Sequence, residues 1–129
     1  MNGCLLDTNI LLLATFRPEA LSPEIAREVE TRPLFLSIVS YWEVVLKSMK
    51  GKLDVGDPRS WWATAVDDLA ATPMALASEH VAEIYSLPAI HADPFDRALI
   101  AQAIAGELTL ATTDARIQQY ASMRLRILS

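Results

Sequence analysis

Cys4-Leu5-Leu6-Asp7-Thr8-Asn9-Ile10-Leu11-Leu12 reads as a short buried strand, an acid at its end, and the opening of a helix over 10–16 that Pro18 interrupts. Short apolar runs of this kind recur at 34–36, 74–76, 108–111 and 125–128, and longer segments of helical period separate them. The alternation predicts a three-layer α/β/α sandwich around a mostly parallel sheet of about five strands. Ser22 as N-cap with Pro23 behind it starts a helix over 23–30. The segment 38–49 carries Val39, Trp42, Val45, Leu46 and Met49 at three- and four-residue spacing, which predicts a long, mostly buried helix ended by Gly51. Further helices are expected over 59–71, 78–86, 94–105 (stopped by Gly106) and 114–120, with 51–58 as a connection of turn residues.

The 129 residues, 52% of them apolar and 21% charged, suit one domain over 1–129. No run approaches the roughly 20 apolar residues of a membrane span, and no basic stretch precedes the first apolar run, so a cytoplasmic protein is expected. Cys4, the one cysteine, cannot close an internal disulfide and reads as a small core residue. Sixteen acidic against eleven basic residues give a net charge of −5. With a pI near 4.9, no global positive field draws in a polyanion. Any nucleic acid must be held locally, and Lys47, Lys50 and Lys52 are the densest basic group, although a solvated helix face explains them equally well.

The acids are more informative. Asp7 follows the first strand, Glu43 lies early in the helix after the second, Asp96 opens the helix after Asp93-Pro94, and Asp114 follows the fourth strand. In an open α/β sheet these places share the carboxyl edge, where ligands bind. Each also suits capping: Asp7 or Asn9 for the first helix, a Ser40-Tyr41-Trp42-Glu43 capping box, Asp93 before Pro94, and Asp114 for the last helix. An N-cap contributes only about 1 kcal/mol, and Ser, Thr or Asn serves as well. Four acids gathered without a basic partner repel one another, and a divalent cation relieves that repulsion. Oxygen ligands, with neither His nor Cys counted among them, suit Mg²⁺ or Mn²⁺. His80 and His91 read as helix-surface and loop residues, since neither has a partner at metal-ligand spacing.

The blocks Leu5–Leu12, Ser40–Val44, His91–Ala103 and Leu108–Asp114 resemble the successive motifs of PIN-domain proteins, in particular the VapC-type toxins of bacterial toxin–antitoxin pairs. The resemblance spans nearly the whole chain in order, and Asp93-Pro94-Phe95-Asp96-Arg97 is its most specific part. It implies a metal-dependent ribonuclease whose acidic pocket maps onto Asp7, Glu43, Asp96 and Asp114. Of the neighbours Asp93 and Asp96, the spacing to Asp114 favours Asp96 as the third acid and leaves Asp93 to capping or support. Asp114 is the least regular of the four in the family. Thr8, Asn9 and Thr112 resemble the hydroxyl and amide residues that position the acids, although strand-end turns also favour such residues.

The chemistry implied is hydrolysis of an RNA phosphodiester, with the cation acidifying water and neutralising charge on the phosphoryl group. Asp7 and Asp96 would ligate most directly, Glu43 would orient or deprotonate the water, and Asp114 would complete the shell or hold a second ion. Lys47, Lys50, Lys52 and Arg97 are the candidate RNA contacts. The implied partners are an RNA substrate, a small VapB- or Phd-like antitoxin whose tail covers the groove, and a second copy of the chain in a homodimer. Trp61 and Trp62 point about 100° apart on a helix. One of them is therefore exposed for a partner or half-buried under a loop. A non-catalytic binding module on the same fold would lack one or more of the acids. An aspartate-nucleophile phosphatase usually wants an aspartate two residues after the first, where Asn9 stands, and a lysine near the far motif, where only Arg97 occurs.

Overall fold

In the computed structural model, which describes residues 3–122 and 124–129, five strands form one wholly parallel sheet. They are β1 (Cys4–Leu6), β2 (Leu34–Ser37), β3 (Thr72–Met74), β4 (Thr109–Ala111) and β5 (Arg126–Leu128), in the order β3-β2-β1-β4-β5. Seven α-helices among the described residues connect them: α1 (Thr8–Phe16), α2 (Pro23–Thr31), α3 (Ile38–Met49), α4 (Pro58–Asp68), α5 (Ser78–Tyr85), α6 (Pro94–Ala105) and α7 (Ala115–Gln118).

Alternating strand residues divide the core between the two faces. Cys4, Leu6, Leu34, Leu36 and Ala111 pack beneath Ile10 and Leu11 of α1, Ile25 of α2, and Trp61 and Ala65 of α4. Leu5 and Leu110 face the other way, with Phe35 and Ile127 packed against the same cluster, onto Leu99, Ile100 and Ala103 of α6 and Ile117 of α7. Strands buried on both sides read as continuous apolar runs, which is why β1 and β4 were legible. The chain leaves β1 toward β2 and β3 on one side, then returns to place β4 on the other side of β1. The reversal falls between β1 and β4, the position at which open α/β sheets bind ligands.

Four expectations need correction. β3 lies at 72–74 instead of 74–76: it is a half-exposed edge strand, where burial does not mark the run and Pro73 is tolerated. The helix expected over 59–71 stops at Asp68, and Ala70 just beyond it takes the left-handed conformation at φ 49°. Ser40 opens no capping box: Ser37 is the N-cap of α3, its hydroxyl accepting from the Val39 N–H at 3.0 Å. Finally, α3 turns a different face inward from the one its apolar spacing indicated. Val39, Ser40, Glu43 and Val44 are buried, whereas Trp42 and Met49 are 53% and 78% exposed. The inward face is the one that carries Glu43 to the carboxyl edge.

Gly51 ends α3 as expected, at φ 70°. Gly106 follows α6 but keeps φ −90°, and Glu107 adopts the left-handed turn instead at φ 54°.

Candidate metal centre

Asp7, Asp93 and Asp114 reach the site as helix caps, whereas Glu43 projects from the second turn of α3 and Asp96 from the first turn of α6. Asp7 leaves β1 with its N–H donating to the Ala111 carbonyl of β4 at 3.1 Å, which sets it on the topological reversal. Its Oδ1 accepts from the Ile10 N–H at 2.8 Å, so Asp7 is the N-cap of α1 and the helix starts at Thr8, two residues before the expected start. Asp93 caps α6, its Oδ1 accepting from the N–H groups of Phe95 and Asp96 at 2.8 and 3.0 Å. Asp114 caps α7 by accepting from the Arg116 N–H at 2.8 Å. Capping and site-building are therefore not alternatives here, since a carboxylate has acceptor capacity left for a second partner.

These acids line one cavity of about 230 Å³ together with Thr8, Asn9, Glu43, Lys47, His91, Asp96 and Arg116. All four acids singled out from sequence meet there. Glu43 is pinned from two sides: the Thr8 hydroxyl donates to its Oε1 at 2.7 Å, and Lys47 Nζ lies 2.9 Å from its Oε2. Thr8 in turn stands 2.9 Å from the Ser40 hydroxyl, which gives Ser40 a place in the site in exchange for the cap it does not make. Thr112, fully buried, accepts from the Asp114 N–H at 3.0 Å and sets its hydroxyl beside Asp7. Asn9 lies on the rim, exposed.

Five carboxylates share the cavity with two basic side chains, Lys47 and Arg116. Burial pushes the Asp7 carboxyl up to about 6, with further upward pressure from Asp96 and Asp114, against the hydrogen bonds from Thr112 and Ile10. Asp96 is raised too, first by burial and then by Asp93 and Glu43, against the His91 hydrogen bond. Glu43 raises the Lys47 ammonium by hydrogen bonding. An oxygen-rich cavity short of positive charge, with two acids held above their ordinary range, fits a divalent cation.

A histidine stands among the acids, a residue type not counted among the ligands in the sequence. Among the described residues, the set whose ligand atoms come within 4.8 Å of one another is His91, Asp96 and Asp114; Asp7 and Glu43 stand outside it. His91 is buried, with Nε2 2.7 Å from Asp96 Oδ2. Its sequence position, five residues before Asp96 across a proline, has no helical periodicity to reveal it.

The basic candidates separate. Lys47 reaches the cavity, whereas Lys50 and Lys52 are exposed at the C-terminus of α3 and beyond it. Arg97 turns inward, donating to the carbonyls of Ile84, Pro88 and His91 and to the Tyr120 hydroxyl at 2.9–3.3 Å, and so is not on the rim to meet a strand. His80 is buried rather than on the helix surface; its Nδ1 accepts from the Ala77 N–H at 3.0 Å. Trp61 is buried, its indole N–H donating to the Thr15 hydroxyl, and Trp62 stacks on Tyr41 at 4.8 Å, half-buried. No described helix is long and apolar enough to cross a membrane.

Residues 4–123 match the family described as PIN domain. No curated protein matches the chain. Among solved structures the chain is similar to VapBC2 from Rickettsia felis bound to a DNA fragment from their promoter, with 14% identity, a TM-score of 0.70, and 97% of this chain and 96% of that chain covered. It is similar also to DNA-bound VapBC from Salmonella typhimurium, at 16% identity and TM-score 0.69 over 99% and 98% of the two chains. FitAcB from Neisseria gonorrhoeae follows at 18% and 0.65, over 98% and 96%. At these identities the likeness is one of fold.

Proposed function

The chain belongs to the PIN-domain family, and on that premise we propose that it is a metal-dependent endoribonuclease, the toxin of a toxin–antitoxin pair acting in the cytoplasm. The observation that carries this reading is the convergence of Asp7, Glu43, Asp96 and Asp114 in one cavity at the topological reversal of the sheet. Neither capping nor the fold requires four acids there, and a binding module on the same fold can dispense with one or more of them.

In this reading Asp7 and Asp96 hold Mg²⁺ or Mn²⁺, and Asp114 completes the ligand shell. Bound there, the cation supplies Lewis-acid stabilisation of charge on the phosphoryl group and an acidified water. Glu43 orients that water or takes its proton, and the hydrogen bonds from Thr8 and Lys47 fix the carboxylate in place for the task. Lys47, nearly half-exposed beside Glu43, is the residue best placed to meet an entering phosphate. The family resemblance and the fold shared with VapBC and FitAcB support a cognate antitoxin as partner, with a basic side chain of its tail neutralising the cavity in place of the cation. A homodimer is part of the same proposal, resting on the family resemblance alone.

The test is RNA cleavage by the purified chain with Mg²⁺ or Mn²⁺ and with chelator. Cleavage is expected only with the cation, and Asp7→Asn should lower it by orders of magnitude in a folded protein. A folded Asp7→Asn variant with near-normal turnover overturns the assignment. In cells, toxicity should be lost in Glu43→Gln and when the antitoxin is co-expressed.

A further inference from the structure

We propose that His91 is itself a ligand of the cation, joining the carboxylates of Asp7, Asp96 and Asp114 in a mixed imidazole–carboxylate site that selects Mn²⁺ or Co²⁺ over Mg²⁺. The inference rests on the metal-centre reading above and specifies which ion it takes. The ring is 93% buried by its 7% residual exposure and belongs to the wall of the acidic cavity. Nε2 lies 2.7 Å from Asp96 Oδ2, and the donor atoms of His91, Asp96 and Asp114 lie within 4.8 Å of one another. A shared ion about 2.1 Å from each donor allows a spacing of roughly 4.2 Å, a difference that a small rotation of either partly exposed aspartate closes.

The backbone of His91 is held at both polar groups. Its N–H donates to the Tyr120 hydroxyl at 2.9 Å, and its carbonyl accepts from Arg97 at 3.3 Å. Tyr120 and Arg97 are themselves anchored on the Pro88 carbonyl, at 2.8 and 2.9 Å. A loop clasped in this way presents a pre-oriented ring, which is what a ligand position requires. The contrast with His80 is informative. That ring is equally buried, but it spends Nδ1 on the Ala77 backbone N–H and sits beside Gln102, a structural role outside the acidic cavity. His91 instead directs a ring nitrogen at the acids. Nε2 lies against Asp96 Oδ2; to meet an ion, the ring would carry its one proton on Nδ1, by exchange through solvent, so that a neutral imidazole turns its Nε2 lone pair to the acids. Imidazole favours later first-row ions, whereas Mg²⁺ takes oxygen ligands, so one nitrogen donor tilts the preference.

The test is calorimetric titration of the full chain with Mg²⁺, Mn²⁺ and Co²⁺, in wild type and in His91→Asn, which retains a donor for Asp96. His91→Asn should weaken Mn²⁺ and Co²⁺ binding by about 10- to 100-fold and Mg²⁺ binding by less than about threefold. A parallel loss for all three ions makes His91 a positioning residue and overturns the proposal, as does no loss for any. A second measurement needs no variant: pulsed electron paramagnetic resonance of Mn²⁺ on the wild type should show coupling to one imidazole nitrogen, and its absence overturns the proposal. A wild type that binds none of these ions sinks the metal-centre reading as well, so the two failures are distinguishable.

Discussion

Asp7 is costly to the fold before any ion is bound. Burial holds its carboxyl near 6, where an ordinary aspartate titrates near 4. Below about pH 4 the group is neutral in folded and unfolded chain alike, and its preference for the native state is fully expressed. As the pH rises through about 6, the native cavity must accommodate a carboxylate it disfavours, and on the order of 2–3 kcal/mol of stability is lost. Asp7→Asn removes that charge yet keeps the cap of α1, since asparagine caps as well as aspartate. The variant should therefore melt higher than wild type at pH 8 in chelator, with the difference vanishing near pH 4. An Asp7→Asn protein that melts lower than wild type at pH 8 would show the carboxylate to be favourably paired. The same residue is then harmful to the empty fold and necessary to the proposed reaction, which is the pattern of a functional acid.

At the scale of elements, what was legible followed from burial on both sides of the sheet. β1 is an uninterrupted apolar run and β4 is broken only by the buried Thr109, because each face meets a helix layer, and Asp7 and Asp114 could be placed after them from the sequence alone. β3, at the half-exposed edge, has no such pattern and its position was missed. The inward face of α3 was missed for a related reason: Glu43 and Ser40 are buried because they serve the cavity, and periodicity counts only apolar residues. His91 was illegible because its contacts depend on the loop between α5 and α6. Arg97 was misread in the same region, since an arginine beside an acid in sequence suggests a phosphate contact until its side chain is seen to fold back. Its donors satisfy carbonyls of Ile84, Pro88 and His91, so Arg97→Ala leaves several partners unpaired at once. A loss of about 2–3 kcal/mol is expected in urea denaturation, with early amide exchange confined to 84–91. Arg97→Lys should recover little, because an ammonium cannot reproduce the fork. A variant of unchanged stability would return Arg97 to the substrate side.

Across the whole molecule, the cavity joins two halves that the chain builds separately. β1 belongs with β2 and β3, laid outward in order, while β4 and β5 are added after the reversal on the opposite side of β1. Asp7 and Glu43 come from the first half; His91, Asp96 and Asp114 come from segments that precede or follow β4. Electrostatic repulsion among these acids opposes the closing of that seam, and a cation bound to ligands of both halves reverses its sign. Saturation at about 100 times the dissociation constant contributes roughly 2.7 kcal/mol, comparable with the cost of burying Asp7. Addition of Mn²⁺ at pH 8 should therefore raise the melting temperature of wild type by about 10 °C for a chain of this size, and raise that of Asp7→Asn far less. Amide exchange should slow at the amino ends of α1, α6 and α7, which carry Asp7, Asp93 and Asp114 as caps. It should stay unchanged in α4 and β3, on the far side of the first half. Protection spread evenly over the sheet would mean that the ion stabilises the fold without closing the seam, and the acids would then have no common ligand to explain their convergence.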